Sequence, residues 1–340
     1  MKTKRIVFTG AGKAELIECE INDPEDNEVL VETEYTAISA GTERANLMGM
    51  KNLGNAVDGG TFPKTVGYSG VGIVKEIGCN VKNISIDERV LVFWGTHSQY
   101  LIAREEKIIS LKNYLLDPKH AVFTLIASFS AAGVRKTKLE FGESAMVFGF
   151  GILGAFAVQL TRIAGAYPVI AADLSAQRRQ LALDLGADFA FDPSDSDFTE
   201  KVKNTTHGNG VKVIIEVTGQ SVALKQALEC AAPFGRIALL GCTRVSDTAI
   251  DFYQQVHRPG TEIIGAHTNA RPRFESRPHC WTERDDCFTL LDFMTHGRID
   301  MSKILSGEYS PLDAPTVYNK LAENIDFPVG AVFDWKGLME

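Results

Sequence analysis

The chain has 340 residues, of which 45% are hydrophobic and 23% charged, and its formal net charge is −8. These values are typical of a globular protein with two domains and argue against nucleic-acid binding, which needs a basic surface to neutralise phosphates. The apolar stretch near the start, Ile6–Phe8, is far shorter than that of a signal peptide, and no run approaches the roughly 18 apolar residues of a membrane-spanning helix. We therefore expect a cytoplasmic protein without a membrane or nucleic-acid partner, with reduced thiols at its six scattered cysteines.

The predicted elements change character along the chain. Short β-branched or aromatic runs broken by Gly, Asn and Asp predict strands over residues 29–35, 70–77, 88–93 and 99–103. From residue 145 onward apolar strands alternate with helices: strands over 145–149, 168–173, 188–191, 211–218, 236–241 and 261–267, and helices over 152–164, 176–185, 195–206 and 221–232. This alternation predicts βαβ units and an α/β fold with a doubly wound parallel sheet. A polar stretch, 269–286, then leads to a helix over 287–296 and a tail of β and helical pattern.

A glycine-rich turn joins the first of these apolar strands to its helix. Its sequence is Gly149-Phe150-Gly151-Ile152-Leu153-Gly154, the G-x-G-x-x-G pattern that binds the pyrophosphate of a dinucleotide. Asp173 ends the second strand, where its carboxylate can bind the adenosine ribose and repel a 2′-phosphate, so NAD is favoured over NADP. Arg178 is interpreted as lying along the adenine edge, with a 2′-phosphate contact as the alternative. The structural alternative is a plain glycine turn, with Asp173 capping the helix at Ala176.

Further coenzyme-binding candidates follow from the same pattern. The backbone N–H groups of Ile152 and Leu153 lie in the first turn of the helix and point toward the phosphates. Ligands bind at the carboxyl ends of the strands in such folds. Three more candidates end predicted strands: Thr218, Gly241 and His267.

The chain resembles the medium-chain dehydrogenase/reductase superfamily, the zinc alcohol dehydrogenase-like proteins. The resemblance rests on the glycine turn, on Ile38-Ser39-Ala40-Gly41-Thr42-Glu43, on Gly67-Tyr68-Ser69, and on the segment from Gly186 to Gly219. It implies a GroES-like β-rich catalytic domain over residues 1–118, a Rossmann coenzyme domain over 119–266, and a return of 267–340 to the catalytic domain. It also implies a homodimer or a dimer-based oligomer.

The departures from the family concern zinc. Where the family has its Cys, His and third ligand, this chain has Ala40, Tyr68 and Ser128. These three side chains cannot form a tetrahedral zinc site, so we expect no metal; the alternative is a metal held by His97 and His120, which are otherwise structural histidines. The chain thus resembles a zinc-less branch that includes bacteriochlorophyllide hydroxyethyl dehydrogenase-like and sugar- or polyol-dehydrogenase-like proteins.

Hydride transfer without zinc requires a side chain or a water to exchange the hydroxyl proton. The first candidate is Tyr68, with a void-filling role as the alternative. The second is Thr42, which matches the proton-relaying Ser/Thr of zinc members and alternatively caps the following helix. Glu43 and His97 are candidates for the final proton acceptor, with a pocket-rim or core position as the alternative for His97. Ser128 is expected to face the nicotinamide with Thr42 and Tyr68.

Substrate contacts are predicted from two regions. Trp94 is a candidate apolar wall, with a core position as the alternative. Arg271 and Arg273 follow the last coenzyme-domain strand and suit a carboxylate, a phosphate or sugar hydroxyls, unless this loop is a solvated or subunit-interface segment.

The leading hypothesis is a zinc-independent, NAD-linked oxidoreductase that interconverts a secondary alcohol (polyol, cyclitol or sugar-like) and its ketone. One alternative is an NADPH-dependent quinone or enoyl reductase, which Asp173 disfavours. The other is a dinucleotide-binding protein without turnover, an interpretation that the loss of all three zinc ligands keeps open.

Overall fold

The computed structural model describes residues 1–53, 58–323 and 327–338. Its contacts divide the chain into a first unit, Met1–Leu125 with Ile304–Glu340, and a second unit, Ile126–Lys303. Within the described residues no helix is long and apolar enough to cross a membrane.

The strands of the first unit are β1 Lys2–Gly10, β2 Lys13–Glu20, β3 Glu28–Ala37, β4 Lys64–Thr65, β5 Ser69–Ile77, β6 Arg89–Phe93, β7 Tyr100–Arg104, β8 Ile108–Ser110, β15 Leu305–Tyr309 and β16 Gly330–Asp334. Those of the second unit are β9 Ala145–Phe148, β10 Val169–Ala172, β11 Phe189–Phe191, β12 Val211–Glu216, β13 Ala231–Leu239 and β14 Glu262–Gly265.

The helices are α1 Ala40–Leu47, α2 Pro118–Ala121, α3 Thr124–Lys136, α4 Ile152–Ile163, α5 Ala176–Asp184, α6 Phe198–Thr205, α7 Ser221–Cys230, α8 Glu283–Thr295 and α9 Ala314–Glu323. Short 3₁₀ turns cover Glu105–Lys107, Pro311–Asp313 and Lys336–Leu338, and a π turn covers Tyr253–His257.

The second unit is built on one parallel sheet. Its strands lie in the order β11-β10-β9-β12-β13-β14, and all five pairings are parallel. Every residue of β9 and β10 is buried, because helices cover both faces of such a sheet. Strand order reverses between β9 and β12, which defines the switch point where dinucleotides bind in this architecture. The predicted doubly wound coenzyme fold is therefore confirmed.

The first unit is β-rich, as the sequence predicts. A three-stranded sheet, β2-β1-β4, accompanies a larger one in the order β15-β16-β3-β5-β6-β8, with β7 pairing β3. The late strand β16 runs antiparallel to β3, with Val332 opposite Ala37. Its neighbour Trp335 is fully buried in a core with Phe8 and Phe333. Residues more than 290 positions apart in sequence therefore share one hydrophobic core.

The boundaries of the two units differ from the expected positions at residues 118 and 266. Residues 267–303 lie in the second unit instead of returning to the first. The Arg135 guanidinium stacks 3.5 Å above the Trp281 ring, and its Nε donates to the buried carboxylate of Asp286 at 2.7 Å. These contacts, together with the buried Leu290 and Leu291 of α8, hold the segment against α3.

All six cysteines lie in the described part of the chain and are free thiols. Cys79 and Cys242 are exposed, whereas Cys230 and Cys287 are buried, and burial raises the pKa of Cys230 to about 11. Because the thiolate is the reactive form, we expect iodoacetamide to label Cys242 in the folded protein but not Cys230 or Cys287. Mass spectrometry of the labelled peptides checks this, with labelling after guanidinium unfolding as the control. Equal labelling of Cys287 and Cys242 in the folded state would contradict the packing of α8.

Candidate active site

The glycine turn between β9 and α4 has the steric features of a phosphate cradle. Gly149 has a φ of +98°, and a Cβ there would lie 2.6 Å from the Thr218 methyl group. A Cβ on Gly154 would lie 2.1 Å from the Gly149 carbonyl oxygen. Both positions exclude any side chain because the turn packs on itself.

Gly151 differs from its two neighbours. A Cβ on it would meet nothing within 4 Å, so its own surroundings are open. Gly151 is also the N-cap of α4, and the N–H groups of Ile152 and Leu153 that follow have no acceptor within the helix. An open approach and free N–H donors at a helix N-terminus suit an anionic group, and they fit the pyrophosphate of a dinucleotide.

Asp173 organises this turn through its two carboxylate oxygens. Oδ2 accepts the Phe150 N–H at 2.7 Å, and Oδ1 accepts the Ser175 N–H at 2.8 Å. The N-cap of α5 is Ser175 and not Asp173, which corrects the structural alternative considered for this residue. Each oxygen retains a further lone pair, so the carboxylate can still accept a ribose hydroxyl.

The two arginines after Asp173 have different environments. Arg179 donates to the Asp173 carbonyl oxygen at 2.8 Å and to Asp192 Oδ2 at 2.8 Å, so it is engaged within the fold. Arg178 is half-buried, and among the described residues its guanidinium has no hydrogen-bond or ion-pair partner. Arg178 is therefore the available cation beside the predicted adenosine site.

The carboxyl end of β12 is held by a buried acid, Glu216. Its carboxylate accepts the N–H groups of Thr218 at 2.7 Å and Gly219 at 3.2 Å, together with the Thr218 hydroxyl. Burial raises the pKa of Glu216, and the hydrogen bonds from Thr218 and Gly219 act against that shift. The Thr218 methyl thus keeps its place against Gly149, and the tight approach of Gly241 to Gly219 completes this edge of the sheet. His267, the third candidate at a strand end, is exposed, and its Nδ1 accepts the Asn269 N–H at 3.1 Å.

The first unit holds the second group of predicted residues, and a buried carboxylate lies at its centre. Glu43 Oε1 accepts the Ser39 N–H at 2.8 Å and lies 3.2 Å from His97 Nε2, and Oε2 accepts the Tyr318 hydroxyl at 2.6 Å. Glu43 is 2% exposed and His97 0%. Both side chains are therefore interior, which for His97 is the core position considered as its alternative, and their expected role as final proton acceptor stays a prediction.

A second hydroxyl extends this network away from Glu43. His97 Nδ1 lies 2.6 Å from Thr36 Oγ1, and Trp335 Nε1 donates to the same oxygen at 2.9 Å. An indole N–H can only donate, so the Thr36 hydroxyl accepts from Trp335. A carboxylate can only accept, so His97 Nε2 donates to Glu43. Both ring nitrogens of His97 therefore have a hydrogen-bond partner.

Tyr68 lies at the edge of this network. Its hydroxyl hydrogen-bonds to the Ser39 hydroxyl, and its ring lies 5.6 Å from the Trp94 ring. Trp94 is 45% exposed and has a φ of +58°, a backbone conformation that costs about 1–3 kcal/mol for a residue with a side chain. Because nearly half of its surface is exposed, Trp94 is not the core residue considered as its alternative.

The remaining catalytic candidates are Thr42, in the first unit, and Ser128, in the second. Thr42 is exposed and lies within α1, whose N-cap is Ser39, so the alternative role of Thr42 as a cap is wrong. Ser128 is fully buried in the second unit and accepts a hydrogen bond from Arg271 Nη1 at 3.2 Å.

Arg271 is engaged in the same unit. Its guanidinium pairs with Glu283 and lies 5.5 Å from the Phe129 ring, and its side chain is 5% exposed. These contacts disagree with the expected role of Arg271 as an accessible substrate ligand. A buried guanidinium that already pairs with Glu283 and Ser128 has few N–H groups left to bind a substrate. Arg273 is exposed.

The described side chains at the three former zinc-ligand positions, those of Ala40, Tyr68 and Ser128, do not match the Cys and His ligands of a catalytic zinc ion. Within the residues that the structure describes, no group of three or more His, Cys, Asp or Glu side chains is arranged to hold a metal. His97, the histidine nearest to Tyr68 in the network, is occupied on both ring nitrogens.

Four residues of this site are absent from the sequence-based candidates: Ser39, Thr36, Tyr318 and Trp335. Ser39 stands in the Ser-Ala-Gly-Thr-Glu run and was open to detection there. Tyr318 and Trp335 carry no local signal, because their role arises only when the late strand β16 and helix α9 join the first unit.

Comparison with known proteins extends these findings. Residues 153–279 match the zinc-binding dehydrogenase family. The L-threonine 3-dehydrogenase of Pyrococcus horikoshii is 27% identical, with 92% of this chain and 91% of that protein covered. The D-guloside 3-dehydrogenase of Escherichia coli K12 is 26% identical, with 93% and 95% covered. A solved structure from Sinorhizobium meliloti 1021 with NADP bound has a TM-score of 0.83 at 22% identity, with 98% and 99% covered, and shares the fold.

Proposed function

Since the chain belongs to the medium-chain dehydrogenase/reductase superfamily and is an alcohol dehydrogenase-like oxidoreductase, we propose that it interconverts a secondary alcohol and its ketone with NAD and without zinc. The observation that carries this proposal is the open cradle at Gly151 beside the Asp173 carboxylate. The cradle suits a pyrophosphate, and the carboxylate suits the two ribose hydroxyls of NAD and disfavours the additional phosphate of NADP.

The proposed substrate is a polyol, cyclitol or sugar-like secondary alcohol. Relatives named for threonine, butanediol and guloside oxidation support small hydroxylated substrates. Trp94 supports the same class, because an exposed indole face packs well against the C–H groups of a sugar or cyclitol ring while leaving its hydroxyls free.

Tyr68 is proposed to exchange the hydroxyl proton that zinc members handle through the metal. Bound NAD supplies the hydride acceptor for oxidation, and NADH supplies the donor for reduction. In the reductive direction, the Tyr68 O–H bond breaks as an O–H bond forms on the carbonyl oxygen of the substrate. Glu43 and His97 support this site from the interior, and Thr42 and Ser128 are kept as candidates for contacts with substrate or cofactor.

The first experiment is a titration of the chelator-treated protein with NAD and with NADP, followed by tryptophan fluorescence, together with a measurement of zinc content. We expect NAD to bind at least about 10-fold more tightly than NADP, a difference of about 1.4 kcal/mol. Asp173→Asn retains one oxygen acceptor and removes the negative charge. We therefore expect it to reduce the difference in affinity between NAD and NADP. Asp192→Asn removes a neighbouring charge that is paired with Arg179 and serves as the control.

The outcomes separate the candidate functions. Tighter NADP binding in the wild type would favour the quinone or enoyl reductase. Arg178, whose guanidinium has no partner among the described residues, and the NADP-bound structural neighbour support that function. Stoichiometric zinc would contradict the metal-free proposal. Tight NAD binding without turnover of any polyol, cyclitol, sugar or ketone would favour a dinucleotide-binding protein without catalysis. Light scattering of the same sample tests the proposed homodimer.

A further inference from the structure

The hydroxyl groups of Tyr68 and Ser39 form a hydrogen bond at the edge of the buried Glu43 network. Ser39 is 6% exposed and is the N-cap of α1, yet its side chain does not cap that helix. An N-cap serine ordinarily uses its hydroxyl to accept a helix N–H. Here the Ser39 hydroxyl hydrogen-bonds to the Tyr68 phenol instead.

Glu43 fixes the position of Ser39 through the backbone. Its carboxylate accepts the Ser39 N–H at 2.8 Å while the Tyr318 hydroxyl, at 2.6 Å, and His97 hold the same carboxylate from behind. Three donors surround one buried anion, so the carboxylate has little freedom to move. The backbone of Ser39 is therefore held in place, and its hydroxyl lies within hydrogen-bonding distance of Tyr68.

Ser39 is the member of the network that hydrogen-bonds to Tyr68. The other members bond to one another: Trp335 to Thr36, Thr36 to His97, and His97 to Glu43. Burial, followed by the Glu43 carboxylate, raises the pKa of Tyr318 well above its usual value, so Tyr318 also keeps its proton. A serine hydroxyl can both accept and donate, and it can reverse its direction by rotation.

We propose that Ser39 is the positioning residue of Tyr68, accepting the hydrogen bond of the phenol and donating one to the phenolate that remains after proton transfer. The proposal deepens the proposed function and rests on it for the identity of the reaction. In ketone reduction, bound NADH would supply the hydride for the carbonyl carbon and would be oxidised to NAD as the ketone is reduced. The Tyr68 proton passes to the carbonyl oxygen. The phenolate, held by Ser39, then takes a proton from water.

The test is the ionisation of Tyr68 in the full-length protein, measured by phenolate absorbance as the pH is raised. The protein has eight tyrosines, so the contribution of Tyr68 is isolated by subtracting the titration of Tyr68→Phe from that of the wild type. The same subtraction for Ser39→Ala uses the double variant Ser39→Ala/Tyr68→Phe. We expect the Tyr68 pKa to rise by about one pH unit when the Ser39 hydroxyl is removed, because a charge-assisted hydrogen bond to the phenolate is lost.

Two further variants separate positioning from general disturbance. Ser39→Thr retains a hydroxyl and is expected to keep the Tyr68 pKa near that of the wild type. Ser98→Ala is the matched control, since Ser98 is a buried serine of the same unit whose hydroxyl pairs with Thr96 and Arg5. It is expected to leave the Tyr68 ionisation unchanged. Circular dichroism confirms folding of each variant.

The absorbance experiment needs neither substrate nor cofactor, so its result is independent of whether the proposed reaction is found. An unchanged Tyr68 pKa in folded Ser39→Ala would overturn the role of Ser39 even if the enzyme oxidised a polyol. An equal shift in Ser98→Ala would overturn it as well. A shift specific to Ser39→Ala would support the pair even if no substrate were turned over.

Discussion

Gly151→Ala is expected to weaken NAD binding about 100-fold while leaving the protein folded. A methyl group at Gly151 points into open space, so it strains nothing within the turn. The same open space is where the pyrophosphate must approach the N–H groups at the start of α4. Loss of one or two charge-assisted hydrogen bonds, worth about 1.5–3 kcal/mol each, corresponds to a change of this size in Kd.

Calorimetric titration with NAD and a thermal unfolding curve measure the two consequences separately. Gly337→Ala is the matched control, because a Cβ at Gly337 also meets nothing within 4 Å and the residue lies in the first unit. Gly154→Ala provides the contrast, since its Cβ would collide with the Gly149 carbonyl oxygen, and it should lower both stability and affinity. NAD affinity in Gly151→Ala equal to that of the wild type would place the dinucleotide elsewhere.

Glu43→Ala is expected to destabilise the first unit by about 4 kcal/mol and to lower its Tm by about 10 °C. Removing the carboxylate leaves three donors without an acceptor, namely the Ser39 N–H, His97 Nε2–H and the Tyr318 hydroxyl. Each buried donor left unsatisfied costs about 1–3 kcal/mol. Thermal unfolding followed by circular dichroism measures the change.

Two further variants provide reference values for the destabilisation caused by Glu43→Ala. Tyr318→Phe removes one donor and leaves the carboxylate with two, so it should cost a fraction of the Glu43→Ala effect. Glu308→Ala removes an acid from the surface pair with Lys119 and should leave Tm almost unchanged. If Glu43→Ala were as stable as Glu308→Ala, the buried network would not contribute to stability.

The second unit was predictable because its signals are local. The expected strand over 145–149 and helix over 152–164 correspond to β9 and α4 within one residue at each end. Glycines at the ends of the elements, together with continuous apolar runs, are enough to predict such strands and helices. Helix α3 was not predicted, since its Ser, Ala and Gly residues have a weak helical pattern and it is tertiary burial that stabilises it.

The site was predictable only in part, for the same physical reason. The glycine spacing and the acid after β10 follow one another along 25 residues, so sequence alone reveals them. The pairing of Glu43 with His97 joins positions 54 residues apart, and its partner Tyr318 lies 275 residues from Glu43. The hydrophobic periodicity of the sequence gives no indication of contacts between residues so far apart. Sequence reasoning therefore selected Glu43 and His97 for their chemistry and allowed a core position for His97, but it did not foresee the burial of Glu43.

The first unit is built from two separate stretches of the chain, 1–125 and 304–340, and this affects how it folds during synthesis. During translation, residues 1–125 leave the ribosome long before the segment that supplies Tyr318 and Trp335. Until then Glu43 is a carboxylate without one of its donors, and β3 lacks the β16 strand on one side. The second unit, whose residues 126–303 are continuous, can fold as soon as it is synthesised. The nascent chain thus holds a folded second unit while β3 of the first unit still has an unpaired edge, and this is the stage at which chaperones would protect it.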